Sequence, residues 1–194
     1  MNERTFQAGH AHKLDDPARL EWLPPSEVLD RLAPQPGSIV ADIGAGTGYF
    51  TIPLARAVGP NGRVFAVDFQ PSMLARIRAK LDSADAQPNI ELVEGSADRT
   101  SLPEASCDLA FFANIWHEVD DPAKVIEEAS RILKPAGRLA ILDWRSDLSS
   151  PPGPPDDHRL AAADVAASLS RNGWSVDTNR NVGHYSYLIQ AHRE

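Results

Sequence analysis

The chain has 194 residues, of which 24% are charged and 42% hydrophobic, and a formal net charge of −8. That length suits one domain with a full core, and the acidity argues against nucleic acid or another polyanion as partner, because phosphate binding takes a basic face. No apolar run reaches a membrane span, no apolar stretch follows Glu3 and Arg4, and a single cysteine, Cys107, excludes an intrachain disulfide, so a soluble cytoplasmic protein is expected.

In chain order, residues 1–35 come first as an N-terminal extension, read as a lid over the functional site, and residues 36–194 as the globular domain. The extension holds His10, His12, Asp15, Asp16 and the patch Arg19-Leu20-Glu21-Trp22-Leu23. Without a third ligand at metal spacing, His10 and His12 do not make a metal site. Pro24-Pro25-Ser26-Glu27 opens a short helix whose Val28, Leu29 and Leu32 share one side and are expected to pack on the sheet edge.

A first buried strand, Ser38 to Ala41, runs into Asp42-Ile43-Gly44-Ala45-Gly46-Thr47-Gly48, and Tyr49 to Val58 continues as a helix. Alternate glycines at a strand-to-helix turn admit positive φ and let a ligand touch backbone, while the helix start offers unpaired N–H groups. One or two glycines there can be steric alone; three after an acid point to a cofactor loop. The dinucleotide fingerprint G-x-G-x-x-G would place its last glycine at Tyr49, whereas here it falls at Gly48.

A second strand, Arg63 to Asp68, ends in a carboxylate able to accept from both ribose hydroxyls. Pro71 then opens a helix with Leu74, Ile77 and Leu81 on one face. Asn89–Glu94, Asp108–Ala113 and Gly137–Leu142 are further short apolar strands. Between the last two, Asp121-Pro122 opens a helix carrying Val125, Ile126, Ala129, Ile132 and Leu133, closed by Lys134-Pro135-Ala136-Gly137. After the stiff Pro151-Pro152-Gly153-Pro154-Pro155 come a helix from Ala161 to Asn172 and two strand-like stretches, near Trp174 and from Tyr185 to Ala191. Alternating strands and helices imply parallel βαβ units.

The acid-glycine loop resembles motif I, D/E-x-G-x-G-x-G, of the class I S-adenosylmethionine (SAM) methyltransferases. Glu94-Gly95-Ser96-Ala97-Asp98, Ala113-Asn114-Ile115-Trp116-His117-Glu118-Val119 and Arg131-Ile132-Leu133-Lys134-Pro135-Ala136-Gly137 are similar to the small-molecule "type 11", ubiquinone/menaquinone-biosynthesis-like subgroup. The resemblance implies an α/β, Rossmann-like, seven-stranded and mostly parallel sheet with helices on both faces and a C-terminal antiparallel strand. It implies SAM as cofactor, S-adenosylhomocysteine as product and a small-molecule acceptor. By the same resemblance Asp42, Gly44, Ala45, Gly46, Asp68, Phe69, Met73, Ala97, Asp98 and Asn114 hold the cofactor. Asp68 takes the ribose, Phe69 flanks adenine, Asp98 caps its amino group and Asn114 lies near the methionine part.

Methyl transfer needs a general base only where the acceptor must lose a proton. The groups beyond the carboxyl ends of strands four and five are His117, Glu118, Asp143 and Trp144, with His158 and Arg159 after the proline run. His117 is the first expectation for a base and His158 a second; either His117 serves that role or it only supports the pocket, and Arg159 either meets acceptor or pairs with Asp156 or Asp157. Two other classes stay open: a nicotinamide-dependent oxidoreductase, and a SAM-binding sensor or scaffold without turnover.

Overall fold

The computed structural model describes residues 6, 8–83, 89–148 and 152–194; Glu3, Arg4 and Pro151 of the expectations above lie outside them. After a 3-10 segment, Ala8–Asp15, come α1 (Arg19–Trp22), α2 (Pro25–Leu32), β1 (Ile39–Ile43), α3 (Thr51–Val58), β2 (Arg63–Asp68), α4 (Pro71–Ser83), β3 (Ile90–Glu94) and β4 (Cys107–Ala113). A 3-10 turn, Trp116–Glu118, leads to α5 (Pro122–Ile132), β5 (Leu133–Trp144), a second 3-10 turn at Asp156–His158, α6 (Ala162–Arg171), β6 (Trp174–Val182) and β7 (Ser186–Arg193).

The seven strands form one sheet in the order β3-β2-β1-β4-β5-β7-β6. The pairings β2–β3, β1–β2, β1–β4 and β4–β5 are parallel, and β7 runs antiparallel to both β5 and β6. This is the expected Rossmann-like sheet with a C-terminal hairpin. Parallel strands buried on both faces read as continuous apolar runs, as in β4, where Leu109 and Phe111 point to one layer and Ala110 and Phe112 to the other.

One layer sets Val125, Ala129 and Ile132 of α5 and Val165 and Leu169 of α6 against Ile43, Ala110, Ile141 and Ile189. The opposite layer sets Val28 and Leu32 of α2 and Leu54 and Val58 of α3 against Val40, Leu109, Ala140 and Leu188. The expected edge position of α2 is therefore corrected: its buried side chains join the core on one sheet face. Arg138 Nη2 donates to Leu32 O at 3.0 Å and Gln190 Nε2 to Arg31 O at 3.0 Å, pairing carbonyls at its carboxyl end with side chains of β5 and β7.

Helix α5 ends at Ile132 rather than at the proline because Leu133 is already extended and buried, pairing with Cys107 of β4. The order of strands reverses between β1 and β4, which opens a crevice beyond their carboxyl ends.

Candidate functional site

That crevice holds a cavity of about 380 Å³, floored by the loop after β1 and walled by the ends of β2, β3 and β4. Gly44 has φ +73, and a Cβ there would lie 2.7 Å from Ile115 Cγ2, so any side chain would be both strained and obstructed. Gly44 N and Ala45 N both donate to Val67 O, at 2.8 and 3.0 Å, which fastens the loop to β2.

Asp42, Gly44, Ala45, Gly46, Asp68, Phe69, Met73, Ala97, Asp98 and Asn114 all line this one cavity. Asp68 is buried; its Oδ2 accepts from Gly46 N at 2.9 Å and its Oδ1 from Gln70 N at 2.9 Å, so its carboxylate plane is fixed while each oxygen keeps a lone pair. Burial pushes its carboxyl up, against the two backbone donors.

Asp42 is buried beneath the loop and accepts from Thr51 Oγ1 at 2.6 Å. Burial, opposed by that hydroxyl and reinforced by Asp68, pushes its carboxyl up to about 7. Met73 is buried and Phe69 half-open at 43% exposure, giving two apolar surfaces beside Asp68. Asp98 sits in a tight turn where Ser96 Oγ donates to its Oδ1 at 2.5 Å, so the turn and the cavity wall are the same element. Asn114 has φ +56, and neither its Nδ2 nor its Oδ1 finds a hydrogen-bond partner among the described residues.

The two expected bases are placed differently. His117 is 5% exposed and is not part of the cavity lining, whereas its neighbour Glu118 is. Asp143 fixes it: His117 N donates to Asp143 Oδ2 at 2.8 Å, and His117 Nδ1 lies 2.8 Å from Asp143 Oδ1, a bond that needs the proton on Nδ1. The other ring nitrogen, Nε2, is 3.8 Å from Glu118 Oε1. Burial works against the charged imidazole, but Asp143 and then Glu118 outweigh it, and the His117 pKa is raised. Burial pushes the Glu118 carboxyl up to about 7, although Phe6 N donates to its Oε2 at 3.0 Å and His117 lies beside it. His158, in its 3-10 turn, is also outside the lining. Arg159 is buried, donates from Nε and Nη2 to Pro154 O at 3.0 and 2.6 Å, and has Nη1 3.3 Å from Asp156: the structural alternative for that residue.

The N-terminal extension divides. Phe6, Leu14 and Arg19 line the cavity. Asp15 is tied down by Thr47 Oγ1 at 2.7 Å and Lys80 Nζ at 2.7 Å, and Gln70 Nε2 donates to Phe6 O at 2.9 Å. Trp22 turns away and packs on Trp144 and Tyr185, with ring centroids 5.3 and 5.9 Å apart. Among the described residues no group of three His, Cys, Asp or Glu side chains is placed to hold a metal, and no helix is long and apolar enough to cross a membrane.

Sequence reasoning missed Leu14, Arg19 and Tyr49 as cavity residues. Arg19 stood in the mixed charged and aromatic patch, and Tyr49 follows Gly48 directly, but neither carries a periodicity that says which way it faces.

A family model for a methyltransferase domain (Methyltransf_11) matches residues 41–141. The chain is 35% identical over 117 residues to the demethylmenaquinone methyltransferase of Listeria monocytogenes, covering 60% of this chain and 49% of that protein. It is 34% identical over 116 residues to a ubiquinone/menaquinone biosynthesis C-methyltransferase of Hahella chejuensis, covering 60% and 47%. The chain thus spans about half the length of these curated relatives. A crystal structure of a SAM dependent methyltransferase from Aquifex aeolicus superimposes with a TM-score of 0.90 at 32% identity, covering 96% of this chain and 98% of that one.

Proposed function

The chain belongs to the SAM-dependent methyltransferases built on this methyltransferase domain, and from that membership we propose that it transfers a methyl group from SAM to a small-molecule acceptor. The observation that carries the reading is the convergence, on one cavity at the switch point of the sheet, of the acid-glycine loop, the carboxylate ending β2 and the turn after β3.

The residues present suit this cofactor. Asp68 is a fixed acceptor pair for two ribose hydroxyls, Phe69 and Met73 offer apolar surface to adenine, Ala97 and Asp98 edge the ring, and the unpartnered Asn114 amide awaits a polar group. SAM supplies a methyl group already activated on a sulfonium with a good leaving group. The protein's share is alignment, which can contribute roughly 7–11 kcal/mol at best.

Where the acceptor must lose a proton, Glu118 is the cavity carboxylate that takes it, and His117, held by Asp143, acts through Glu118. His158 has no part in this reading. The quinone-biosynthesis relatives make a quinol the first acceptor to screen.

The test is calorimetric titration of S-adenosylhomocysteine, with NAD titrated into the same preparation. Tight binding of the former and none of the latter is expected. Binding of NAD alone, or of neither, overturns the reading and its site assignments.

A further inference from the structure

The cavity lining carries groups of opposite charge. Toward β2 and β3 it presents Asp68, Phe69, Met73 and Asp98. Arg19 of α1 lines it too, 7% exposed, its guanidinium 3.9 Å from the centroid of the Tyr49 ring and its Nη1 donating to Leu14 O at 3.3 Å. Its Nε has no hydrogen-bond partner among the described residues, and among them Arg19 makes no salt bridge.

The nearby carboxylates are committed elsewhere. Asp15 holds Thr47 and Lys80; Asp42 holds Thr51, and burial keeps it largely protonated below about pH 7. Burial, partly offset by Tyr49, Asp15 and Asp42, lowers Arg19 to about 10, which still leaves it a cation at neutral pH. A desolvated guanidinium that no carboxylate contacts is costly, and its fork geometry matches a carboxylate. The one carboxylate on SAM or S-adenosylhomocysteine belongs to the amino-acid end. Asn114, whose amide is likewise unpartnered, lines the same cavity and offers Oδ1 to an ammonium group.

We propose that Arg19 binds the amino-acid carboxylate of the cofactor, with Asn114 receiving its ammonium group, so that the N-terminal segment itself completes the cofactor site. This rests on the SAM reading. It gives α1, a four-residue element outside the matched family region, a defined ligand chemistry.

The experiment compares S-adenosylhomocysteine with 5′-methylthioadenosine, which keeps the nucleoside and thioether and lacks the amino-acid end. Affinities of wild type, Arg19→Met and Arg19→Lys are measured by calorimetry, alongside the Tm of each ligand-free protein. Arg19→Met is expected to weaken S-adenosylhomocysteine about 10- to 100-fold, the worth of one or two charge-assisted hydrogen bonds, and to change methylthioadenosine by less than about twofold. Arg19→Lys keeps the charge and should fall between. The ligand-free Tm of Arg19→Met should stay close to wild type, because relief of the guanidinium's desolvation offsets the lost Leu14 bond and Tyr49 contact. Equal losses for both ligands, or a lower Tm with such losses, would mark a structural role and overturn the proposal; so would an unchanged affinity for S-adenosylhomocysteine. If wild type binds neither ligand, the SAM reading itself fails.

Discussion

Glu118 sits where two demands meet. Its carboxyl faces the cavity, and its side chain is only 15% exposed, so its ionised form is penalised and its pKa rises from 4.5 to about 7. The folded protein therefore binds more protons than the unfolded chain between those values, and stability must fall as pH rises through that window. The ionised carboxylate costs on the order of 3 kcal/mol once pH exceeds about 7. His117 acts in the same direction: its folded pKa is raised, so its pairing with Asp143 contributes fully below about pH 6.5, the unfolded value, and fades as pH climbs through the folded one. Thermal denaturation of the ligand-free protein should give a higher Tm at pH 5 than at pH 8. In Glu118→Gln, which keeps an acceptor for Phe6 N, the difference should shrink but not vanish, because Asp42 adds a similar slope. An unchanged difference would show that Glu118 is ionised without penalty. That a carboxylate or imidazole follows strand four was legible in the sequence; which of the two faces the cavity was not. His117 is turned inward by Asp143, 26 residues further along the chain.

At the level of elements, α2 and the segment before it serve different purposes although they are contiguous. Val28 and Leu32 are fully buried in a sheet-face core, so α2 is part of the domain's body. Residues 8–15 are held to the rest by the polar ties of Asp15 with Thr47 and Lys80 and by the buried Ala11, and their 3-10 geometry contributes little regular hydrogen bonding of its own. The Lys80–Asp15 pair is about one-third exposed, so its worth is modest, roughly 0.5–1 kcal/mol. Lys80→Met should accordingly lower Tm by no more than about 2–3 °C while raising amide hydrogen exchange in residues 8–15 about threefold or more, with α2 unaffected. Equal acceleration in both elements would mean that the segment and α2 open as one unit. Sequence period found α2 because Val28, Leu29 and Leu32 share a side, but the same stripe suits a sheet edge or a sheet face.

For the whole molecule, the sheet order places β1 and β4 side by side with crossovers leaving in opposite directions, and the strand-end loops that line the cavity come from both sides of that divide. A ligand spanning the crevice links both halves of the sheet, so it should stabilise the protein globally. S-adenosylhomocysteine at 100 times its Kd adds about 2.7 kcal/mol, which for a chain of this size raises Tm by roughly 5–10 °C. NAD at the same concentration should give no shift, and a comparable shift with NAD would contradict the cofactor assignment. By itself the sequence determined the parallel α/β sheet, the glycine loop, the acids closing β2 and the turn after β3, because each is written in local terms: residue period, glycine spacing and strand-end position. Only the tertiary structure decided that Arg19 and Glu118 enter the cavity, that His117 is drawn inward, and that α2 covers a sheet face. Those outcomes depend on contacts between residues distant in the chain, where packing and the pairing of buried charges choose among orientations that local pattern leaves equivalent.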